Sequence, residues 1–251
     1  MKILEYEAKT ILKDYGIPIP KGFTASSLKD IKEDIVKEIG FPLIVKVQIP
    51  ISGRGKAGGI LKANNIKELL NVVSKLLGSI IRGIRVAKVL IEECMDVRKE
   101  YYVAFTIDHS LRKAVFLAST EGGIDIEETI KEKPHLLHKI PIDPFIGLKD
   151  YEVRNVAYKL GIPKNLIRQF IWIVKAMFKV FDDFDAELVE VNPLALTDNG
   201  LWALDARIII DDNSLFRQKD KLAKYISEEV FRGITAGEKR AEALGLSYVE
   251  L

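Results

Sequence analysis

The chain has 251 residues, 48% of them hydrophobic, which is enough apolar material for one large domain or for two lobes that share a core. Disorder along the whole chain is therefore excluded. The 38 basic and 36 acidic residues leave a formal net charge of +2, and no basic run is interleaved with aromatic residues, so nucleic acid is not an expected partner.

Cysteine use and the start of the chain indicate a compartment. The one cysteine, Cys94, has no second thiol for an internal disulfide or a thiol-based zinc site, which favours a reducing environment. Met1 leads directly into an amphipathic segment, with neither an apolar signal core nor an Arg-rich transit segment. No apolar run is long enough to span a bilayer. We therefore expect a cytoplasmic protein with no membrane partner.

The first 20 residues predict a helix followed by a connector. Apolar residues at helical spacing continue to Tyr15, Gly16 ends the helix, and Pro18 and Pro20 impose an extended backbone. We expect this unit to pack on the larger of two lobes.

Residues 21–95 predict a small α/β lobe. The expected elements are a helix from Ser26 or Ser27 to Gly40, strands over 41–48 and 59–62 around a glycine loop, a helix over 66–76 capped by Asn64 or Asn65, and a strand over 85–92.

Residues 96–251 predict a second, larger lobe. The expected elements are strands over 100–107 and 113–119, a polar stretch over 125–150, an apolar helix over 166–181, strands over 188–197 and 201–210, and charged C-terminal helices after Asn213. The turn Asp198-Asn199-Gly200 is one of the strongest short-range hairpin signals in the sequence. Both lobes mix helices with strands, so the fold class is α/β or α+β.

A glycine-rich loop with flanking cations forms the first candidate site. Lys46 lies on the strand that precedes the loop Ser52-Gly53-Arg54-Gly55-Lys56-Ala57-Gly58-Gly59. Glycines let the backbone approach a phosphate and point N–H groups at it, and Lys46, Arg54 and Lys56 offset its charge. The spacing fits neither a Walker loop nor a dinucleotide fingerprint. The alternative is a flexible hairpin tip with solvated basic residues.

A group of oxygen ligands forms the second candidate site. Glu190 and Asn192 are two residues apart on a strand and so face the same side, and the hairpin brings Asp205 close to Asn192. Carboxylates among apolar strands are poorly solvated unless a positive charge lies beside them. Mg²⁺ completed by phosphate oxygens and water meets that need. The alternative is a structural salt bridge from Asp205 to Arg207 or to a lysine.

A weaker signal lies where the first lobe joins the second, with Glu92 and Met95 at a strand end and Glu100 opening the next strand. Backbone groups at such a connection can bind an adenine edge while a carboxylate takes the ribose hydroxyls. Acidic residues at strand ends are usually just solvated. By itself this third constellation has little value.

The histidines and the cysteine carry no predicted chemistry. His109 lies in a turn, and His135 and His138 are three residues apart in a polar segment without a flanking glycine loop. Surface or packing roles are the expectation, and no catalytic residue is assigned on this chain. Cys94 has no nearby histidine in sequence and is expected to be a buried small hydrophobic residue.

Five segments of the chain form a specific pattern when taken together. The segments are Leu4-Glu5-Tyr6-Glu7-Ala8-Lys9 with Tyr15-Gly16-Ile17-Pro18, Gly53-Arg54-Gly55-Lys56-Ala57-Gly58-Gly59, Ala118-Ser119-Thr120-Glu121-Gly122-Gly123, Glu190-Val191-Asn192-Pro193-Leu194 and Asn213-Ser214-Leu215-Phe216-Arg217. Together they resemble one family, the β subunit of succinyl-CoA synthetase (ADP-forming succinate–CoA ligase), and specifically its N-terminal ATP-grasp part. They occur in the family's order over essentially the whole chain.

The resemblance implies an ATP-grasp fold whose two lobes clamp a nucleotide. In its terms, Lys46 and the backbone of Gly53 to Gly55, with Arg54, hold the phosphates of ATP or ADP. Glu92, the Met95 backbone and Glu100 contact the nucleoside side, and Asn192 and Asp205 bind Mg²⁺, with Glu190 as a further candidate. The resemblance also implies a partner, an α subunit that binds CoA and carries a phosphohistidine.

Two departures from the family bear on this expectation. The family usually has His-Ala-Gly before the glycine at position 53, where this chain has Pro50-Ile51-Ser52. Family members also continue into a second α/β domain, so a separate C-terminal β domain is a further expected partner. The alternatives are a β subunit for another acid, a non-catalytic nucleotide-binding module, and a self-contained carboxylate–amine ligase. The resemblance also implies adenine over guanine, because Pro20 stands where adenine-preferring members of the family tend to have proline, whose apolar ring offers a guanine edge no hydrogen bond.

Overall fold

The computed structural model describes residues 1–51, 53–123 and 134–226, with residues 240, 241 and 244. Three parts of the predicted chain lie outside the described residues. They are Ser52, some of the polar stretch predicted over 125–150, and most of the predicted C-terminal helical segment. Within these ranges, every helix is too short or too polar to cross a lipid bilayer.

The small lobe is a four-stranded antiparallel sheet in the order β1-β6-β2-β3. Its strands are β1 (Gly22–Ala25), β2 (Leu43–Val47), β3 (Ile60–Ala63) and β6 (Val89–Glu93), and its helices are α2 (Glu33–Ile39) and α3 (Ile66–Leu76). Two short strands, β4 (Ile80–Ile81) and β5 (Ile84–Arg85), form a hairpin beside it. Buried apolar residues of β2, β6 and α3 form the core of this lobe. The side chain of Asn65 caps α3 by accepting the Glu68 N–H, as predicted.

The helix predicted between Ser27 and Gly40 is not continuous. A 3-10 turn at Leu28–Asp30 comes first, the extended residue Ile31 interrupts the helical backbone, and α2 follows. The carboxylate of Asp30 accepts the N–H of Ser27 at 2.8 Å, so a local side-chain bond closes the turn and competes with a longer helix. The strand predicted over 85–92 is likewise divided between β5 and β6.

The large lobe is an antiparallel sheet in the order β11-β10-β7-β8-β9, with β12 also paired to β10. Its strands are β7 (Lys99–Asp108), β8 (Lys113–Ser119), β9 (Leu137–Pro141), β10 (Ala186–Thr197), β11 (Gly200–Ala203) and β12 (Ala206–Ile210). Its helices are α4 (Asp150–Lys159), α5 (Ile167–Asp183) and α6 (Leu215–Leu222). The apolar face of α5 packs on this sheet and supplies much of the core, including Phe170 and Met177.

Helix α1 (Glu5–Asp14) lies between the two sheets. Its apolar residues Ala8, Ile11 and Leu12 are fully buried in the core of the large lobe, where the helix packs on β12 and α5. Its polar residues reach the small lobe, and the Tyr6 N–H donates to the Gln48 side chain at 3.0 Å. The first helix therefore connects the lobes as well as covering one of them.

The hairpin around Asp198 to Gly200 has an irregularity that shapes the site. Strand β10 pairs with β11 on one side of the irregularity and with β12 on the other. At the break, the Asn192 N–H donates to the Asp205 carbonyl at 3.2 Å, and the Leu204 N–H donates to the Pro193 carbonyl at 3.1 Å. Asp205 therefore lies beside Asn192, as the hairpin predicts.

Candidate functional site

A cleft of about 390 Å³ opens between the lobes, where β2 and the glycine loop face β10 and β12. The glycine loop is the segment of residues 53–59. The charged, amide and glycine residues that line the cleft are Lys2, Glu5, Lys46, Gly53, Arg54, Gly55, Lys56, Gly123, Glu190, Asn192, Asp205 and Arg207. The structure therefore brings the first two predicted constellations, far apart in sequence, to one place.

The glycine loop is a closed turn rather than an open tip. Its last three amides donate back to the carbonyls of Gly53, Arg54 and Gly55 at 2.8–3.3 Å. Gly53 has φ +71°, and a Cβ at Gly59 would lie 2.6 Å from the Val47 side chain, so the turn needs glycine at both places. The alternative of solvated basic residues fits only Lys56, which is exposed; Arg54 is 8% exposed.

Behind the loop lies an ion-pair cluster that we define as Glu5, Lys9, Lys46, Arg54, Glu92 and Asp205. The ammonium of Lys46 lies 3.0 Å from Glu5 and 2.8 Å from Glu92, and that of Lys9 lies 3.1 Å from Glu5 and 2.5 Å from Glu92. The guanidinium of Arg54 lies 2.8 Å from Glu5 and 3.1 Å from Asp205. Three cations therefore face three carboxylates, which makes their burial tolerable.

The pKa values of the cluster show how strongly these charges depend on each other. Burial alone would favour neutral Glu5, but Lys46, Lys9 and Arg54 outweigh it and hold the pKa of Glu5 far below its usual range. Burial likewise opposes charge on Lys46 and Arg54, yet the neighbouring carboxylates raise the pKa of both. Both cations stay charged, as phosphate binding requires.

Asp205 shows the opposite balance. Burial, followed by repulsion from Glu5, raises the pKa of this carboxyl to about 6, against the pull of Arg54. One nitrogen of Arg54 donates to both carboxylate oxygens at 3.1 Å. The alternative predicted for Asp205, a structural salt bridge, is therefore present, but its cation is Arg54 and not Arg207 or a lysine. Arg207 lies 3.8 Å from Glu190 instead.

The predicted metal ligands share the cleft but are engaged with protein groups. The Asn192 amide nitrogen lies 3.4 Å from Glu190, and its oxygen accepts the Gly123 N–H at 2.6 Å. Two carboxylates and one amide are oxygen donors of the kind that Mg²⁺ prefers. This donor set therefore fits the ion, although Arg54 holds one of the two carboxylates.

No role was predicted for the turn Glu121-Gly122-Gly123. A Cβ at Gly122 would lie 2.7–2.8 Å from Tyr101 backbone atoms, and one at Gly123 would lie 2.2 Å from a Glu100 carboxylate oxygen. The two glycines thus let the turn lie flat on β7 and aim an amide at Asn192. The adjacent glycines after a strand were the available signal.

Glu92, Met95 and Glu100 do not line the cleft. The Glu92 side chain is 2% exposed and committed to Lys9 and Lys46, so a nucleoside contact through its carboxylate would require those ion pairs to open. Met95 is partly buried at the connection between the lobes. Glu100 abuts Gly123, and burial raises the pKa of its carboxyl. The three residues of the third constellation lie on β6, on the connection between the lobes and on β7, and the cleft lining includes none of them.

Glu5 and Lys9 were also missed as site residues. Both are at most 3% exposed, although charged side chains on a first helix are usually solvated. The signal lay in their spacing, because Glu5, Ala8, Lys9 and Leu12 follow the i, i+3, i+4, i+7 pattern of a buried helix face. Charged residues on such a face require buried partners.

The histidines lie away from this site. His109 and His135 are exposed and His138 is partly buried on β9, and the lining residues of the cleft do not include them. Cys94 is partly exposed, so the expectation of a buried cysteine is wrong.

Comparison with known proteins shows which families this chain is similar to. A family model described as an ATP-grasp domain matches residues 2–196. The chain is 47% identical to a succinate–CoA ligase [ADP-forming] subunit beta of Ignicoccus hospitalis and 44% identical to that of Aquifex aeolicus. Both matches cover all of this chain and 65% of the relative, so the chain spans just under two thirds of their length. The resemblance seen in the motifs, to the N-terminal part of these subunits, is confirmed.

Solved structures share the fold at lower identity. The ATP citrate lyase of Methanothrix soehngenii, in complex with citrate and coenzyme A, superposes with a TM-score of 0.69 at 23% identity, covering 90% of this chain and 54% of that one. An acetyl-coenzyme A synthetase of Ca. Korarchaeum cryptofilum, described as dinucleotide forming, superposes with a TM-score of 0.67 at 19% identity, covering 84% and 93%. The predicted fold class is confirmed.

Proposed function

Because the chain belongs to the ATP-grasp family, we propose that its cleft binds Mg-ADP or Mg-ATP as the nucleotide-binding component of an ADP-forming succinate–CoA ligase. The reaction would pass a phosphoryl group between the nucleotide and a histidine on an α-type subunit, during the formation or cleavage of succinyl-CoA. The similarity to subunits beta of such ligases supports this partner.

One observation carries the proposal. Buried cations of the small lobe, Lys46 and Arg54, face the oxygen donors Asn192 and Asp205 of the large lobe across one cleft. A nucleotide carries negative phosphates and a magnesium ion in contact with each other, and it needs cations and oxygen donors in the same juxtaposition. A ligand of a single charge would use only one side of the cleft.

The residues would then divide their roles by lobe. The phosphates would be held by Lys46, Arg54 and the backbone of Gly53 to Gly55. The metal ligands would be Asn192 and Asp205, with Glu190 as a third candidate. Magnesium bound there would offset phosphate charge and orient the transferred group. The nucleoside would lie toward the lobe connection that contains Glu92, Met95 and Glu100.

Asp205 must release Arg54 before it can hold a metal. The guanidinium now occupies both carboxylate oxygens, so the ion and the arginine compete for one carboxylate. A bound phosphate would give the displaced guanidinium a new anionic partner, which favours binding of metal and nucleotide together. Mg-nucleotide rather than free Mg²⁺ is therefore the expected ligand.

Thermal unfolding with and without ligand tests this function. Mg-ADP or Mg-ATP should raise the melting temperature, because a ligand at about a hundredfold excess over its Kd adds about 2.7 kcal/mol to the stability of the folded state. Adenosine and Mg²⁺ alone are the matched controls and should have little effect. Equal shifts with adenosine and Mg-ADP would contradict phosphate recognition. Equal shifts with GDP and ADP would contradict the expected preference for adenine.

A further inference from the structure

Helix α1 places one carboxylate directly beneath both phosphate-loop cations. Glu5 is 3% exposed, and its two oxygens lie 3.0 Å from the Lys46 ammonium and 2.8 Å from the Arg54 guanidinium. Lys46 comes from β2 and Arg54 from the glycine loop, so among the contacts described here Glu5 is a shared partner of two separate elements.

The donors of each cation are divided among Glu5, one partner on a small-lobe strand and the large lobe. The Lys46 ammonium has three N–H groups, and it contacts Glu5, Glu92 at 2.8 Å and the Leu204 carbonyl at 2.5 Å. One terminal nitrogen of Arg54 lies 2.8 Å from Glu5 and also donates to the Val47 carbonyl at 3.1 Å, and the other donates to Asp205. An incoming phosphate can take the donors that face Leu204 and Asp205 while those on Glu5 stay in place.

We propose that Glu5 is a positioning residue for the nucleotide site, an inference that rests on the proposed function. It anchors Lys46 and Arg54 to the floor of the cleft by one side of each head group, so that the other side is presented to the phosphates. Without this anchor, the charge of Lys46 would be drawn to Glu92 and that of Arg54 to Asp205, while the Val47 carbonyl still held one nitrogen of Arg54, and a phosphate would have to compete for both cations.

The charge balance separates this role from simple stabilisation. Glu5→Gln leaves the cluster with three cations and two carboxylates, and an unmatched buried charge destabilises a protein. The double variant Glu5→Gln with Lys9→Met restores the balance at two and two, yet it still lacks the anchor. Positioning therefore predicts that the double variant regains stability without regaining phosphate affinity.

The control is Glu7→Gln. Glu7 is also a fully buried carboxylate of α1, and it accepts hydrogen bonds from the Leu4 N–H at 3.1 Å and from the Tyr6 hydroxyl at 2.7 Å. It matches Glu5 in helix, burial and chemistry. Its loss should lower stability and leave the preference for phosphates unchanged.

The experiment measures calorimetric affinities of the 251-residue chain for Mg-ATP and for adenosine. Relative to wild type, Glu5→Gln and the double variant should bind Mg-ATP at least about tenfold more weakly and adenosine within about twofold, as expected for the loss of a charged hydrogen bond that acts on phosphates only. If Glu5→Gln does not fold, the charge-balanced double variant carries the test.

Two results would overturn the inference: wild-type affinity for Mg-ATP in the double variant, or an equal loss of affinity for Mg-ATP and adenosine. Failure of wild-type protein to bind Mg-ATP would instead refute the proposed function. Because the wild type is titrated first, the two failures are distinguishable.

Discussion

At the residue scale, two predictions concern Asp205: that it is a metal ligand and that it forms a structural salt bridge. Its carboxylate is bound by Arg54 at 3.1 Å, and its backbone carbonyl accepts the Asn192 N–H in the bent hairpin. One carboxylate can hold a guanidinium in one state and a metal in another, because both are cations that carboxylate oxygens bind. In the proposed function, the salt bridge and the metal contact would be successive uses of one group.

Asp205→Asn should remove most of the magnesium dependence of nucleotide binding. An amide is a weaker ligand than a carboxylate, and the loss of one charged contact weakens binding about tenfold or more. ADP affinity should be measured with Mg²⁺ and with EDTA, and the difference should shrink to within about twofold in the variant. Asp198→Asn, at the exposed tip of the same hairpin, is the control. An unchanged response to magnesium in Asp205→Asn would reject the assignment.

Asp205 should also affect the pH dependence of stability. Its pKa in the folded chain is about 6, against 3.8 for an ordinary aspartate. A group with a raised folded-state pKa adds stability that is complete below the unfolded value and is lost as pH rises through the folded value. The unfolding free energy of wild type minus that of Asp205→Asn should therefore fall between about pH 4 and pH 7. Urea unfolding measures it, and a flat or rising difference would show that burial does not control this carboxyl.

At the scale of single elements, two tight turns position the polar groups of the site. The glycine loop holds Arg54 over Glu5 and Asp205, and the turn Gly122-Gly123 lies on β7 with its amide on Asn192. Both turns require residues without a side chain at the point of contact. The glycines therefore act by permitting close approach, and the charged chemistry belongs to their neighbours.

Gly122→Ala should lower the free energy of unfolding by about 1–3 kcal/mol, the usual cost of overpacking. The added methyl would lie 2.7–2.8 Å from backbone atoms of Tyr101 in the interior strand β7, which has no room to move. Gly55→Ala is the matched control, because its methyl would lie at an ordinary 3.5 Å from Ile60, and it should change stability by only about 0.5 kcal/mol. Urea unfolding of both variants measures this, and equal losses would show that the contact with Tyr101 is unimportant.

At the scale of the whole molecule, two hydrophobic cores meet across polar contacts. One core lies between β2, β6 and α3, the other between α5 and the large sheet, and α1 belongs to the second. The lobes contact each other through Arg54 with Asp205, Lys46 with the Leu204 carbonyl, and the ion pairs of α1. These contacts line the cleft, so a bound ligand would alter the groups that join the lobes.

The chain by itself should bind Mg-ATP but not turn it over. The cleft lining includes none of its three histidines, and succinyl-CoA formation in the proposed scheme needs a histidine on a partner. Incubation with succinate, CoA and Mg-ATP should therefore release no ADP above the rate seen without succinate. An α-type subunit should restore turnover if it docks on this chain. Steady succinyl-CoA formation without any partner would favour a self-contained ligase.

The sequence alone determined the local parts of this protein. The glycine loop, the Asp198 to Gly200 hairpin, the Asn65 cap and the apolar helix over 166–181 were all predicted, because each depends on residues within one turn or one helix face. The break in the helix before Gly40 was missed, because two local hydrogen bonds to Asp30, from the Ser26 and Ser27 N–H groups, outweighed the hydrophobic spacing. Motif resemblance supplied the family, which local patterns did not.

Only the tertiary structure decided which cations pair with which carboxylates in the ion-pair cluster. Lys46 meets Glu5 across 41 residues, and Arg54 meets Asp205 across 151. No periodicity within a helix or strand encodes such distances, since partners are chosen when separate elements pack and buried charges must be matched. The sequence therefore predicted a phosphate loop and a metal site separately. Packing of α1 between the lobes joined them into one cleft and made Glu5 part of it.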